Sequence, residues 1–399
     1  MKLKIFLIVI LIFFTSDFLF SGNSISDEGY VFRDEIIIPF TPVKDQYRSG
    51  TCWSFAVLSM LESEMMRLGK PAVDLSAMFI VWHTYSAKAT KYVRLQGHLN
   101  FTAGGAFHDV TNVIRKNGIV PESVYRGLPS GESRHIHNEM DNRLRKQVDS
   151  IIGTIDNNFS AAWLDVIEKT LNLHLGIIPQ TFEFQGKKYT PQSFATDYVG
   201  LNMNDYVGIT SYTHHPFYSK FILEIPDNWS WDESYNVPLN EMMDIIDYAL
   251  KNGFTIAWAS DITEKGFLTN NKGIAVLPAA PAFNMSDAEI AQWEALSERE
   301  KENRLYKLNN IVPELTVTQE MRQLAFDIFE TTDDHGMHII GVSKDQGGNE
   351  FYKVKNSWGN YNKYNGFFYV SKPYVAYKTM SIMLHKDAIP QNIRKKLNL

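Results

Sequence analysis

The sequence DQYRSGTCWSF at residues 45–55 joins a polar, turn-prone segment to a run with helical periodicity. From Trp53 onward apolar residues recur at three- and four-residue steps, and the run ends near Gly69-Lys70-Pro71. This pattern predicts a buried helix that Thr51 caps at its amino end. Cys52 therefore lies at the start of the helix, where unpaired backbone N–H groups and the helix dipole favour a thiolate.

The number and setting of cysteines distinguish Cys52 further. The 399-residue chain has one cysteine and so forms no internal disulfide. Two lysines precede the apolar run Ile5–Phe14, and small residues follow it, which is typical of a secretory signal peptide. We therefore expect residues 1–21 to be a signal peptide and the protein to be exported (periplasmic or secreted), with an uncleaved N-terminal anchor as the alternative. Because cysteines of exported proteins usually pair, the lone thiol indicates a role in chemistry.

Composition and charge exclude several classes of protein. Hydrophobic residues make up 44% of the chain and charged residues 21%, which is typical of a globular protein, and the length predicts two lobes or domains. The formal net charge is −6 and no long basic block occurs. These features argue against a nucleic-acid partner.

The pattern of elements changes along the chain. Helical periodicity marks Phe107–Lys116 and a charged run from Ala288 to about Lys307. The last third instead contains short β-rich runs, Met337–Val342, Phe351–Asn356 and Gly366–Val370, separated by turn residues. Helices followed by an antiparallel sheet predict an α+β fold with two lobes.

A thiolate nucleophile needs a base, a group that orients the base, and donors for the oxyanion. His335 follows Asp333-Asp334 at the start of a predicted strand, and Asn356 ends the next strand. Gln46 lies six residues before Cys52, so that its side-chain amide can reach back over the helix end. These residues are the candidates for the three roles.

Three sequence blocks resemble those of papain-like cysteine peptidases. They are Asp45-Gln46 with Gly50–Phe55, then Asp334–Met337, and finally Lys355–Gly359. Their order, with Gln, Cys, His and Asn in succession, is also that of the family. The resemblance implies a papain-like two-lobed fold, with a helical lobe and an antiparallel β lobe.

The spacing of the blocks indicates one branch of that family. His335 lies 283 residues after Cys52, against roughly 130–150 in papain relatives, so about 150 residues are inserted. This resembles the bleomycin hydrolase/aminopeptidase C family, over approximately residues 35–390. It implies one peptidase domain over residues 22–399, with a large helical insertion between the lobes at about residues 130–245.

The resemblance implies a role for each site residue. Cys52 attacks the scissile carbonyl, His335 transfers the proton, Asn356 orients the imidazole, and the Gln46 amide holds the oxyanion with the Cys52 N–H. Trp358 shields the His–Asn hydrogen bond.

The resemblance also implies how substrate binds. Gly104 and Gly105 let the substrate backbone approach, since neither has a Cβ. The implied substrates are peptides or proteins, with no metal or organic cofactor, no stable membrane insertion after signal removal, and a homo-oligomer. The implied activity is that of an aminopeptidase. An endopeptidase on the same fold and an inactive papain-fold binding protein are the alternatives.

Other histidines compete for a role in the site. His338 is the alternative base, although a strand side chain is the expected reading because only His335 follows the Asp-His pattern. His135 and His137 alternate as metal ligands on a strand could, but their polar surroundings predict surface side chains.

The carboxy-terminal tail is the last candidate. Gln391–Leu399 can span about 30 Å if extended, and we expect it to reach the cleft and favour cleavage at free amino ends.

Overall fold

A computed structural model describes residues 29–399 except 130, 155–161, 270–271 and 280–285. The predicted signal peptide at residues 1–21 lies outside the described residues. The helices are α1 Cys52–Arg67, α2 Ala77–Arg94, α3 Phe107–Asn117, α4 Asn138–Gly153, α5 Trp163–Leu175, α6 Pro191–Ser193, α7 Leu239–Lys251, α8 Asp287–Glu294, α9 Glu298–Leu305, α10 Gln319–Asp327, α11 Lys372–Lys378 and α12 Gln391–Leu397. The strands are β1 Phe32–Ile37, β2 Phe182–Phe184, β3 Lys187–Tyr189, β4 Tyr206–Thr210, β5 Lys220–Ile222, β6 Glu233–Asn236, β7 Ile256–Ser260, β8 Phe267–Leu268, β9 Ile274–Ala275, β10 His335–Asp345, β11 Glu350–Lys355, β12 Phe367–Ser371 and β13 Thr379–His385.

The helical lobe is built around α1 and α2. Both helices are buried on nearly all sides, as their continuous apolar runs require. Ser76 caps α2 by accepting a hydrogen bond from the Phe79 N–H, and α3 ends at Gly118, whose φ of 81° favours glycine. Helices α4 and α5 pack onto the same core through Leu144 and Leu171. One continuous apolar core therefore holds the helical lobe together.

The second lobe is a curved sheet in the strand order β5-β6-β4-β13-β7-β10-β11-β12-β9-β8, with β1 also paired to β10. The β10–β11 and β11–β12 pairs are antiparallel, as the sequence predicts. The β4–β6 and β9–β12 pairs are parallel, so the sheet is mixed. Its core contains Trp258, Ile339 and Val354. The α+β fold with two lobes is confirmed.

The region predicted as an insertion, residues 130–245, contributes to both lobes. Its first half supplies α4 and α5 to the helical core. Its second half extends the sheet, because β4 pairs with β13 and carries β6 and β5 beyond it. The region is therefore helical only in part.

Two local predictions differ from the structure. The charged run after Ala288 forms two helices, α8 and α9, because Ser297 accepts a hydrogen bond from the Glu300 N–H and starts a new helix. The prediction that His135 and His137 lie on the surface is wrong, since they are only 7% and 3% exposed. The backbone of Arg48 bonds to both of these residues and holds the segment against the chain before α1.

Among the described residues, no helix is long and apolar enough to cross a membrane.

Candidate active site

Cys52 is the first residue of α1 and is half-buried. Thr51 does not cap the helix through its side chain, contrary to the prediction, because its hydroxyl lies 2.5 Å from the Ser49 hydroxyl. The Thr51 carbonyl instead accepts the Ser54 N–H at 3.0 Å. The helix end thus keeps backbone N–H groups that point toward the space in front of the thiol.

Strand β10 passes close to the amino end of α1, and Gly336 makes this approach possible. A Cβ on Gly336 would lie 3.2 Å from Trp53 Cα and 3.0 Å from Phe107 Cε1. These distances are tighter than ordinary side-chain contacts, so only glycine fits there without displacement. The glycine thereby places its neighbour His335 in the wall of the same cavity as Cys52.

The ring of His335 is held from two sides. Its Nε2 lies 2.7 Å from the Asn356 Oδ1, which also accepts the Ser357 N–H at 2.8 Å. The Trp358 ring covers the imidazole, with a centroid separation of 4.5 Å. With Nε2 occupied by the amide oxygen, Nδ1 is the nitrogen left to exchange a proton with a thiol.

Gln46 is buried at the edge of the site, 5% exposed. Its backbone N–H donates to the Ser357 carbonyl at 2.8 Å, and its Oε1 accepts the Ser357 hydroxyl at 2.6 Å. The side-chain oxygen is thereby engaged, and no described residue bonds to the amide nitrogen. This orientation leaves the N–H₂ group of Gln46 as a free donor.

Burial sets the protonation of the unliganded pair. Desolvation raises the pKa of the Cys52 thiol to about 12, although the Gly336 backbone stabilises the thiolate, and Asp333 and Asp227 raise it further. Desolvation also lowers the pKa of His335 to about 4, against the hydrogen bond that the ring donates to Asn356 Oδ1. The sequence predicts a thiolate at Cys52, and the structure differs because the effect of burial on the thiol pKa outweighs that of the helix end. The enclosed pair is a neutral thiol beside a neutral imidazole.

His338, the alternative base, lies three residues along β10 and contacts a different environment. Its Nδ1 is 2.8 Å from the Ser59 hydroxyl, which also accepts a hydrogen bond from Lys355 Nζ at 2.8 Å. Side chains an odd number of residues apart point to opposite faces of a strand. His338 therefore belongs to a buried polar network between the lobes and does not line the Cys52 cavity.

The two glycines differ in their surroundings. Gly105 lines the Cys52 cavity, and a Cβ there would lie 2.8 Å from the Trp53 ring. Gly104 instead lies beneath the carboxylate of Asp227, which a Cβ on Gly104 would overlap. Its carbonyl also accepts a hydrogen bond from the buried Lys88 ammonium. Gly104 is thus covered by the chain itself, which differs from the expected open contact with substrate.

Asp227 and Asp333 also line this cavity, whose volume is about 30 Å³. Neither was a candidate in the sequence. Asp227 lies in a loop between β5 and β6 without a recognisable motif, whereas Asp333 is visible as the first residue of the Asp-Asp-His sequence.

Two further features lie outside this cavity. Within the described ranges, His214, His215 and Glu224 bring potential metal-ligand atoms within 4.8 Å of one another, and both rings bond to the carboxylate. The tail Gln391–Leu399 is helical, not extended. Leu399 borders a neighbouring cavity of about 270 Å³ that shares four wall residues with the Cys52 cavity, namely Ala106, Phe107, Ile225 and Ser381.

A cysteine at the amino end of a buried helix, packed against a sheet that presents a histidine bonded to an asparagine, is the arrangement of papain-like cysteine peptidases. The chain belongs to the Peptidase C1-like family, which it matches over residues 87–279 and 301–399. It is accordingly a cysteine-type peptidase.

Individual relatives are similar over most of their length. The chain is 24% identical to aminopeptidase C of Lactococcus lactis subsp. cremoris, over 88% of this chain and 82% of the relative. It is 21% identical to aminopeptidase G of Lactobacillus delbrueckii subsp. lactis, over 92% and 86%. The crystal structure of PepW from Lactobacillus rhamnosis HN001 superposes with a TM-score of 0.67 at 21% identity, over 92% of this chain and 84% of that one. That structure shares the fold.

Proposed function

We propose that the protein is a cysteine aminopeptidase with Cys52 as nucleophile, His335 as base and Asn356 as the residue that orients the base. The observation that carries the proposal is that Cys52 and His335 line one cavity while Asn356 holds the imidazole at 2.7 Å. Nucleophile, base and orienting group are the three parts that covalent peptide hydrolysis requires.

The reaction follows from these groups. His335 accepts the thiol proton as the Cys52 sulfur attacks the scissile carbonyl, and the Gln46 amide with the Cys52 N–H binds the oxyanion. The imidazolium then protonates the leaving amine, and the C–N bond breaks to give a thioester. Water, deprotonated by His335, attacks the thioester and releases the acid and the free thiol. Because the resting pair is neutral, the ion pair forms only as the substrate is attacked.

Two observations favour an aminopeptidase over an endopeptidase. The relatives named above are aminopeptidases and align with 88% or more of the chain. The Cys52 cavity is also small, about 30 Å³, and Ile225 and Asp227 lie in its wall, whereas an endopeptidase needs an open groove on both sides of the scissile bond. An inactive binding protein has no comparable observation in its favour.

The test is peptidase activity of the purified mature protein on fluorogenic aminoacyl amides and on their amino-blocked forms. We expect the wild-type protein to turn over the free-amine substrates and the Cys52→Ala variant to show no turnover. An epoxide inhibitor should label the wild type stoichiometrically and leave the variant unlabelled. Retained activity in folded Cys52→Ala would disprove the mechanism, and preferred cleavage of blocked peptides would identify an endopeptidase.

We also propose that the protein is exported. The support is the sequence of residues 1–21, in which two lysines precede the apolar run Ile5–Phe14 and small residues follow it. Fractionation of producing cells, with amino-terminal sequencing of the exported protein, tests this. An intact amino terminus on a membrane-bound form would identify an uncleaved anchor instead.

A further inference from the structure

We infer that Asp227 and Asp333 bind the free α-ammonium group of the substrate, and that the loop carrying Asp227 closes the cleft beyond that group. This inference rests on the proposed aminopeptidase activity and names the residues that would make the enzyme specific for chain ends. The argument depends on where the two carboxylates lie, on how they are paired, and on how rigidly the loop is held.

Both carboxylates lie beside the reacting groups. Asp333 precedes His335 by two residues, and Asp227 lies above Gly104; both line the same cavity as Cys52. The amino group of an N-terminal residue is two bonds from the carbonyl that the thiol attacks, so it must lie within this cavity. The two acids therefore flank the place that the ammonium would occupy.

Neither carboxylate is neutralised by a cation within 4 Å in the described part of the chain. Asp227 accepts a hydrogen bond from Asn100 Nδ2 at 3.1 Å, and Asp333 accepts none from a described residue. The nearest buried cation, Lys88, donates to the backbone carbonyls of Thr102 and Gly104.

The lack of a neutralising cation among the described residues affects the pKa values of both carboxyl groups. Burial, followed by the charges of Asp227 and Asp334, raises the pKa of Asp333 to about 8. Burial likewise raises the pKa of Asp227, against the effect of Lys88. Buried acids in this state are stabilised by an added cation, which returns their pKa toward the ordinary range. Binding of an ammonium would thus release the Asp333 proton to solvent.

The loop around Asp227 is anchored on both sides. The Pro226 carbonyl accepts a hydrogen bond from Asn100 Nδ2 at 3.2 Å, and the Asn228 amide donates to the Leu223 carbonyl at 3.1 Å. The Trp229 indole N–H donates to Asp109 Oδ2 at 2.7 Å. A loop held at these points keeps its position when substrate arrives.

The remaining space fits one substrate residue's amino end and little else. The cavity of about 30 Å³ accommodates one or two water-sized groups, and an ammonium is of that size. A substrate chain that ran over Gly104 would collide with Asp227, whose carboxylate already covers that glycine. The N–H and C=O of Gly105 have no partner among the described residues, and so remain available to the substrate backbone.

The experiment compares two substrates that differ only in the amine: phenylalanyl-aminomethylcoumarin and 3-phenylpropionyl-aminomethylcoumarin. For Asp227→Asn and Asp333→Asn we expect kcat/KM on the amine substrate to fall about 30-fold each, as for loss of a charge-assisted contact. Turnover of the des-amino substrate should stay within about twofold of wild type. Glu224→Gln is the matched control, because this exposed acid lies three residues before Asp227 and bonds to His214 and His215.

Equal losses of kcat/KM on both substrates would assign the two acids a structural role and overturn the inference. Variants whose ratio of amine to des-amino turnover equals that of wild type would overturn it as well. Absence of Cys52-dependent turnover in wild type would instead overturn the proposed function. If a variant fails to fold, inhibition of the wild-type protein tests the inference instead. Phenylalaninamide should then inhibit at least about tenfold more strongly than 3-phenylpropionamide. Equal inhibition by the two amides would overturn the inference.

Discussion

The Ser357 hydroxyl donates a 2.6 Å hydrogen bond to the side-chain oxygen of Gln46, across 311 residues of sequence. It thereby joins the segment before α1 to the turn after β11, and leaves the Gln46 N–H₂ group free to donate. The same turn carries Asn356 and Trp358. Gln46, the proposed oxyanion donor, and Asn356, the residue proposed to orient the base, are thus both held by one turn of the β lobe.

We predict that Ser357→Ala lowers kcat about tenfold with a small change in KM, because the Gln46 amide loses the contact that fixes its orientation. Loss of an oxyanion donor itself costs about 10²–10³ in kcat, so a loss of orientation should cost less. Steady-state kinetics on an aminoacyl amide measures the effect. Ser357→Thr keeps the hydroxyl and should recover most of the rate; an unchanged kcat in Ser357→Ala would show that Gln46 is not held by this bond.

The sequence could single out the proposed reacting groups because each lies in a short local motif. Cys52 follows a turn and opens a periodic helix, while His335 and Asn356 lie at the ends of β-rich runs. Gln46 could be found because it lies close to Cys52 in the chain. In each case local spacing carries the information.

Asp227 could not be found in this way. Its loop has no periodicity, and contacts distant in sequence, from Asn100 and from Trp229 to Asp109, bring it over Gly104. The strands on either side of it were missed for a related reason. Strands β5 and β6 have only three and four residues and pair within the sheet through β4, so their local sequence carries little signal.

The two histidines of β10 should respond differently to substitution. We predict that His335→Ala lowers kcat by at least about 10³-fold, since it removes the proton-transfer group, and leaves the melting temperature nearly unchanged. His338→Ala should retain measurable activity but lower the melting temperature, because Ser59 loses a buried hydrogen-bond partner. Activity assays and thermal unfolding of both variants provide the check, and comparable losses of kcat in two folded variants would contradict the assignment.

His137 should make the stability depend on pH. Burial, with the neighbouring His135 and His174, lowers its pKa from 6.5 to about 3. Below pH 6.5 the unfolded chain therefore takes up a proton that the folded chain does not, so this contribution is present above pH 6.5 and is lost as the pH falls. At pH 5 the loss is about 2 kcal/mol relative to pH 8.

His137→Phe removes this effect, because phenylalanine does not titrate. We expect the free energy of unfolding of the variant, relative to wild type, to improve by about 2 kcal/mol between pH 8 and pH 5, as measured by urea titration. The comparison between pH values cancels any constant cost of fitting the larger ring. His98→Phe, at an exposed position, is the control, and equal shifts in the two variants would refute the prediction.

The last prediction concerns the tail, which the sequence led us to expect in the cleft. In the structure Ile393 and Leu397 of α12 are 1% and 3% exposed and pack into the core of the β lobe. Lys396 forms an ion pair with Glu241 on α7 at 2.6 Å. These contacts are typical of a helix that stabilises the fold.

We therefore predict that Leu397→Ala lowers the free energy of unfolding by about 2–5 kcal/mol, as for other buried leucines. Deletion of residues 391–399 should lower the stability further, because it also removes the buried Ile393. Among the molecules that stay folded at low temperature, the preference for phenylalanyl over 3-phenylpropionyl substrate should remain as in wild type, since Asp227 and Asp333 are intact. A deletion variant with the melting temperature of wild type but without this preference would contradict the prediction. It would show that the tail, and not the two acids, recognises the amino group.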